Sequence, residues 1–216
     1  MKVYYFRKNI VYIVFEGIVG SGKSTQAKRL VEFLREKYGI DMVVYVREPG
    51  STPIAEDIRH LAQKKEWENE VMHPLTNAYL YAAARAQTLQ TIVKPALEVG
   101  KIVVSDRSFL SSCVIQWEAQ WLGINTVLWI NKSAVGKIFP DFVFYMDIDV
   151  DISLSRTFDS SGDKFEREWR QFYKAIVRGY EKCEKWNKLK NRFIRIDASG
   201  NEDEIFERIC SYLWTI

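Results

Sequence analysis

Residues 11–24 read VYIVFEGIVGSGKS, and their order decides the fold. Val11 to Phe15 is an unbroken β-branched and aromatic run of strand length, the pattern of a strand covered on both faces. The octapeptide Gly17, Ile18, Val19, Gly20, Ser21, Gly22, Lys23, Ser24 follows at once and fits GxxxxGK[ST]. Downstream, Ala27, Leu30, Val31 and Leu34 fall at i, i+3, i+4 and i+7 with charged residues between them, and Gly39 is a stop signal. Strand, glycine loop and amphipathic helix therefore stand in the order a polyphosphate cradle requires. The glycines let consecutive N–H groups turn inward, and the helix N-terminus adds positive potential. Lys23 supplies a point charge, and the Ser24 hydroxyl is placed to hold Mg²⁺. Residues Gly17 through Thr25 are the candidate segment for binding a nucleotide triphosphate.

Working outward, the same alternation continues. Met42–Val46, Lys101–Ser105, Phe142–Met146 and Phe193–Ile196 are further short apolar strands, separated by helical segments. Thr52 and Pro53 form an N-cap and first-turn pair opening a helix with Ile54, Ile58 and Leu61 on one side. A long helical stretch runs from Asn77 towards Glu98, where Pro95 must kink it or begin a new helix. A last helix, 202–213, puts Ile205, Phe206, Ile209 and Leu213 on one face. The expected fold is α/β, a P-loop nucleotide-binding fold with a five-stranded parallel sheet and helices on both faces. No repeat or linker divides residues 1–216, so one domain is expected. The polar stretch 161–170, SGDKFEREWR, is the candidate mobile loop.

Composition narrows the function classes. With 47% hydrophobic residues the chain can close a core without disulfides, which excludes a disordered tail protein. A net charge of +3 is too slight to point to nucleic acid or a membrane surface, so neither is an expected partner. Cys113, Cys183 and Cys210 are an odd number at unrelated spacings, the usage of reduced thiols and a cytoplasmic protein. His60 and His73 sit in no ligand cluster, which argues against zinc chemistry and a Ser/His/Asp triad. Arg7, Lys8 and Asn9 break the N-terminal apolar run before signal-peptide length, and no stretch reaches the ~18 apolar residues of a membrane span.

The phosphate loop leaves hydrolysis and transfer open. A guanine-reading NKxD is incomplete, since Asn131-Lys132 is followed by Ser133 and Ala134 without the aspartate. Arg47-Glu48-Pro49-Gly50 follows the second strand, and Asp106-Arg107-Ser108 follows the third. In a doubly wound sheet these carboxyl ends form the ligand crevice, on the side where the phosphate loop opens. Tyr81 and Arg85, four apart, share a helix face. That spacing suits a ring stacked on a base with a guanidinium at its edge, and equally a core tyrosine beside a surface ion pair.

Taken together, FEGIVGSGKSTQ, REPGSTP, YAAARAQ, DRSFLSS, FPD, VRGY and IDAS resemble the thymidylate kinase family in order and interval, over nearly the whole chain. The resemblance implies ATP- and Mg²⁺-dependent phosphorylation of dTMP or a close pyrimidine monophosphate; a kinase for another nucleotide or nucleoside, or a regulatory nucleotide-binding module, is the alternative. It implies that Lys23 and the surrounding loop, Gly17 to Thr25, bind ATP phosphates, that Arg107 grips the acceptor phosphate and that Pro49 lines the acceptor pocket. Tyr81 corresponds to the stacking aromatic, Arg85 to the arginine that contacts the pyrimidine and Ser112 to the polar reader of the base edge. Asp106 would hold a metal-bound water or orient Arg107. A lid near 155–168 would bring Arg156, Lys164 and Arg167 to the transferring phosphoryl, and a homodimer built on helix faces is implied. Two departures surround the sugar. Val19 stands where the family has a carboxylate, and Ile115 where it has a tyrosine near the deoxyribose, so the case against a ribose 2′-hydroxyl is weakened. Ser108 replaces an aromatic or histidine, Ala84 an aspartate, and Lys164 an arginine. From these losses slower turnover than a fully patterned relative is expected.

Overall fold

Each apolar run forms a strand that continues one residue past the run's end: β1 is Val11–Glu16, β2 Val43–Arg47, β3 Ile102–Asp106, β4 Phe142–Asp147 and β5 Phe193–Asp197. The structure is a computed structural model that describes residues 11–64, 70–157 and 164–213, with side chains of the last segment from 169 onward. All strands are parallel, in the order β2-β3-β1-β4-β5. Central β1 is buried along all six residues, as its uninterrupted apolar run requires. The register brings the polar strand ends to one rim. Arg47 stands opposite Asp106, Glu16 opposite Tyr145 and Asp147 opposite Asp197.

Helix α1, Lys23–Tyr38, buries Ala27, Leu30, Val31 and Leu34, the predicted face, and Gly39 N–H caps Arg35 O at 2.9 Å. On its outer side lies α9, Glu202–Leu213, which buries Ile205 and Ile209 and holds the Phe206 ring under the Arg29 guanidinium. Thr52 Oγ1 accepts from Ala55 N at 3.1 Å and so caps α2, Pro53–Gln63. The apolar side expected of α2 faces outward: Ala55 is its one buried residue, and Ile54 and Leu61 are exposed.

The long helical stretch is divided. Helix α3, Pro74–Thr88, runs into a π turn at Leu89–Val93 and then α4, Lys94–Glu98. Pro95 is the second residue of α4, directly after the π turn, where the wider hydrogen-bonding pattern accommodates its missing N–H. After β3 come α5, Phe109–Ser112, a second π turn at Cys113–Ala119, and α6, Ile124–Val135. Helices α2, α3 and α6 pack in sequence beside the sheet. Beyond β4, α7 is Val150–Ser155 and α8 is Lys164–Glu184. Among the described residues no helix is long and apolar enough to cross a membrane.

Candidate active site

The loop after β1 is shaped by its glycines. Gly20 has φ 67°, and a Cβ there would lie 2.5 Å from Ser153 O and 2.6 Å from Thr157 Oγ1, so only glycine lets α7 pack this close. The Ser153 hydroxyl donates to Val19 O and fastens the loop to α7. Gly22, at φ 79°, is the N-cap of α1; it brings no side-chain cap, and the first turn carries no acidic residue. The free N–H groups of that turn therefore remain available to an anion.

Lys23 is buried, and its Nζ donates to Ile18 O at 3.0 Å within the loop. Burial, then the neighbouring Arg107 charge, pushes its pKa down to about 7. Ser24 Oγ donates to Asp106 Oδ2 at 2.5 Å, while Asp106 Oδ1, also buried, has no hydrogen-bond partner. A hydroxyl and a carboxylate with an oxygen to spare, at the mouth of a phosphate loop, are the hard oxygen donors that suit Mg²⁺. No cluster of three His, Cys, Asp or Glu with metal-binding geometry occurs among the described residues, so an ion here would take its other oxygens from substrate and water.

Arg107 takes φ 76°, with its N–H bound to Phe15 O at 2.9 Å and its carbonyl to Ser105 Oγ at 2.6 Å. Its Nη1 donates to Ser111 Oγ at 3.0 Å and Gly17 O at 3.3 Å. Lys23, Ser24, Asp106 and Arg107 open onto one cavity of about 290 Å³, whose lining includes Arg47, Glu48, Pro49, Arg59, Tyr81, Arg85, Ser112, Ile115 and Gln116. Five cationic side chains against two carboxylates make it a site for an anion.

The far end of this cavity is built to read a flat polar edge. Arg85 is buried beside Glu48, with Nε to Glu48 Oε2 at 2.6 Å, Nη1 to Ser112 Oγ at 3.2 Å and to Asn131 Oδ1, and Nη2 to Ser108 O at 3.1 Å. Four of the five guanidinium N–H groups are thereby fixed, leaving one for a ligand. Burial raises the Glu48 pKa, and Arg85 counters it. The Gln116 side chain donates to Asn77 Oδ1 at 3.1 Å, and its buried Oε1 has no partner. Tyr81 OH accepts from Gln63 Nε2 at 3.3 Å, so the ring stands at the cavity edge with its hydroxyl turned towards α2.

Of the residues singled out in the sequence, Lys23, Ser24, Pro49, Tyr81, Arg85, Asp106, Arg107, Ser112 and Ile115 thus share one cavity. Gly17 to Gly22 form the loop before α1, and Thr25 lies in its first turn. Ile18 is a core residue that serves by its carbonyl, and the Ser21 hydroxyl is buried without a partner. Arg156 is not brought in: its guanidinium donates to Ala198 O and Gly200 O, both at 3.2 Å, beyond β5. Residues 158–163 and the side chains of Lys164 and Arg167 lie outside the described residues, and with them most of the expected lid. Sequence reasoning passed over Gln116, Arg59, Ser111 and Glu16. It also set Asn131 aside as part of an incomplete guanine motif, whereas here Asn131 is a buried α6 residue that orients Arg85.

The family model for thymidylate kinase matches residues 15–209. The thymidylate kinase of Fervidobacterium nodosum is 39% identical over 199 residues, covering 92% of this chain and 96% of that protein. That of Finegoldia magna is 39% identical over 204 residues, covering 94% and 97%. Among solved structures, the thymidylate kinase of Ehrlichia chaffeensis superposes with a TM-score of 0.75 at 28% identity, covering 94% of this chain and 98% of that one.

Proposed function

The chain belongs to the thymidylate kinase family, and from that premise we propose that it transfers the γ-phosphoryl group of ATP to dTMP in the cavity just described. The observation that carries the proposal is the shared cavity: Lys23 and Ser24 of the phosphate loop open on the same space as Arg107 and the Arg85, Ser112 and Gln116 set. A nucleoside monophosphate fits it with its phosphate towards Arg107 and its base against Tyr81. Arg85 then offers its last N–H to the O4 acceptor of thymine, and Gln116 Oε1 accepts from N3–H. A fixed arginine donor disfavours cytosine, whose amino group would meet it.

The acceptor phosphate already carries an ionised oxygen, so no side chain has to create the nucleophile. The residues position and neutralise. The α1 N-terminus and Lys23 hold the donor phosphates, and Arg107, with Arg47 and Arg59 behind it, holds the acceptor. Ser24 directly, and Asp106 through water, would hold Mg²⁺, which when bound offsets charge on the donor phosphates. Arg156 serves the donor side; it must leave the Ala198 and Gly200 carbonyls before it can reach a transferring phosphoryl. Lys164 is assigned to the lid on the family pattern alone.

Ile115, which lines the cavity, stands where a polar group is expected near the sugar, and we assign it a relaxed discrimination against ribose; Val19 packs against the core and is not among the lining residues. The outer faces of α2 and α6, with Ile54, Leu61, Leu128 and Trp129 exposed, are assigned to a homodimer contact in a cytoplasmic enzyme. A panel of nucleoside monophosphates and thymidine with ATP tests the function. Conversion of dTMP and inert thymidine are expected; phosphorylation of thymidine with dTMP inert would overturn it.

A further inference from the structure

Glu16 closes β1, is completely buried, and takes no part in the chemistry above. Its carboxylate is nonetheless the most heavily used acceptor around the site. Oε1 receives Ser108 N at 2.8 Å, Ser108 Oγ at 2.7 Å and Ser111 N at 3.3 Å. Oε2 receives Ser111 Oγ at 2.7 Å and the Tyr180 hydroxyl at 2.8 Å. Five donors on one carboxylate are more than stability of a strand end demands, and four of them come from the turn that carries Arg107.

Two routes lead from Glu16 to the Arg107 guanidinium. The first is through the backbone: Arg107 N is held by Phe15 O and Ser108 N by Glu16 Oε1, so the left-handed bend at Arg107 is clamped on both sides by consecutive residues of β1. The second is through Ser111. Its hydroxyl gives its proton to Glu16 and must present its lone pairs elsewhere, and Arg107 Nη1 takes that position at 3.0 Å. Tyr180 reaches Glu16 from α8, where Gly179 permits a close approach: a Cβ there would lie 2.9 Å from Val114 Cβ. Burial and the Glu16 charge hold the Tyr180 hydroxyl protonated, so it remains a donor.

We propose that Glu16 and Tyr180 are positioning residues for acceptor-phosphate recognition, acting through Ser108 and Ser111 to fix where the Arg107 guanidinium points. This rests on Arg107 being the acceptor clamp. Ser108 contributes two of the five donors, its N–H and its hydroxyl, both to Glu16 Oε1.

The test is a double-mutant cycle on the full-length enzyme, with KM for dTMP and for ATP and the melting temperature measured for Tyr180→Phe, Arg107→Ala and the double variant. Phenylalanine keeps the ring contact with Tyr145 at 4.7 Å and removes only the hydroxyl. Tyr180→Phe is expected to raise the dTMP KM roughly tenfold, the scale of one hydrogen bond to a charged group, and to leave the ATP KM within about twofold. In the Arg107→Ala background the same substitution is expected to change the dTMP KM no further. A lowered melting temperature with an unchanged dTMP KM overturns the proposal, because Tyr180 is then only scaffold. An equal effect in both backgrounds also overturns it, because the route is then not through Arg107. If Arg107→Ala alone leaves the dTMP KM unaltered, it is the clamp assignment that fails. Should Tyr180→Phe not fold, Ser108→Ala, which removes one donor to Glu16 and the α5 cap on Leu110 N at 3.2 Å, enters the same cycle with a smaller rise in dTMP KM expected and the same refuting outcomes.

Discussion

Replacing Lys23 by methionine should make the nucleotide-free protein more stable while abolishing transfer. Lys23 is buried with its ammonium on one loop carbonyl, and its pKa falls from 10.5 to about 7. Between those values the folded chain binds fewer protons than the unfolded chain, so stability rises with pH across the window; below about 7 the whole penalty is present. At about 1.4 kcal/mol per pH unit, the gap corresponds to roughly 5 kcal/mol. Methionine removes that penalty and forfeits one hydrogen bond to Ile18 O of about 1 kcal/mol. The net gain at pH 6 is then about 4 kcal/mol, or on the order of 10 °C in a domain of this size, and it fades as pH approaches 10.5.

Thermal unfolding of both proteins without nucleotide, from pH 6 to 10, measures the difference. Comparing the two chains at each pH cancels the other groups that titrate in this range, including Cys113, whose thiol burial raises to about 12. Saturating ATP should reverse the order, since a polyphosphate compensates Lys23 only in the wild type. A variant no more stable than wild type at pH 6, or one whose advantage does not shrink with rising pH, would refute the reasoning.

Three further outcomes follow from the same geometry. Glu48→Gln leaves the buried Arg85 without its counter-charge and should cost about 3 kcal/mol in urea unfolding, with a raised dTMP KM; an unchanged midpoint would mean that Ser112, Asn131 and Ser108 suffice. Ile115→Tyr returns a phenol beside the sugar and should lower kcat/KM for UMP relative to dUMP by about tenfold, the discrimination one small group affords in a pocket; competition assays read the ratio directly. Gly20→Ala drives a methyl to within 2.5 Å of Ser153 O and should abolish ATP binding by titration calorimetry while the far end of the cavity still binds dTMP.

How much of this was legible in the sequence differs by element. The strands were, because a strand buried on both faces announces itself as a continuous apolar run. Their last residues were not, because Glu16, Arg47, Asp106, Asp147 and Asp197 break the run by being polar; Arg47 and Asp106 line the cavity, while Glu16 is buried and Asp147 pairs with Arg195. The cradle was legible since its motif is local. Glu16, Asn131 and Gln116 were hidden for the opposite reason. Their partners lie 92 or more positions away for Glu16 with Ser108, 46 for Asn131 with Arg85 and 39 for Gln116 with Asn77, and a buried polar side chain carries no periodic signal. The apolar side of α2 was legible from spacing, but not that Ile54 and Leu61 on it stay exposed. Periodicity identifies an apolar side but not the surface that covers it.

The site separates its cations by how their charge is met. Arg85 cannot shed its proton and so must be compensated inside the protein; Glu48, Ser112, Asn131 and a backbone carbonyl hold four of its N–H groups, which makes it rigid and leaves a single donor of defined direction. Such an arrangement gives up binding strength for selectivity, as the recognition of one base edge requires. Lys23 is the converse. It hydrogen-bonds one loop carbonyl, and burial, the Arg107 charge and the helix end outweigh the pull of Asp106 and Glu16, so the folded chain holds an under-compensated charge that a polyphosphate relieves. A lysine, unlike an arginine, can release its proton there when the penalty is too large. Arg107 lies between these extremes, half-buried and bound to two neutral oxygens. Its direction is therefore set by hydrogen bonds and not by an ion pair, which leaves its charge for the acceptor phosphate and makes the acceptors that orient it, Ser111 above all, part of recognition.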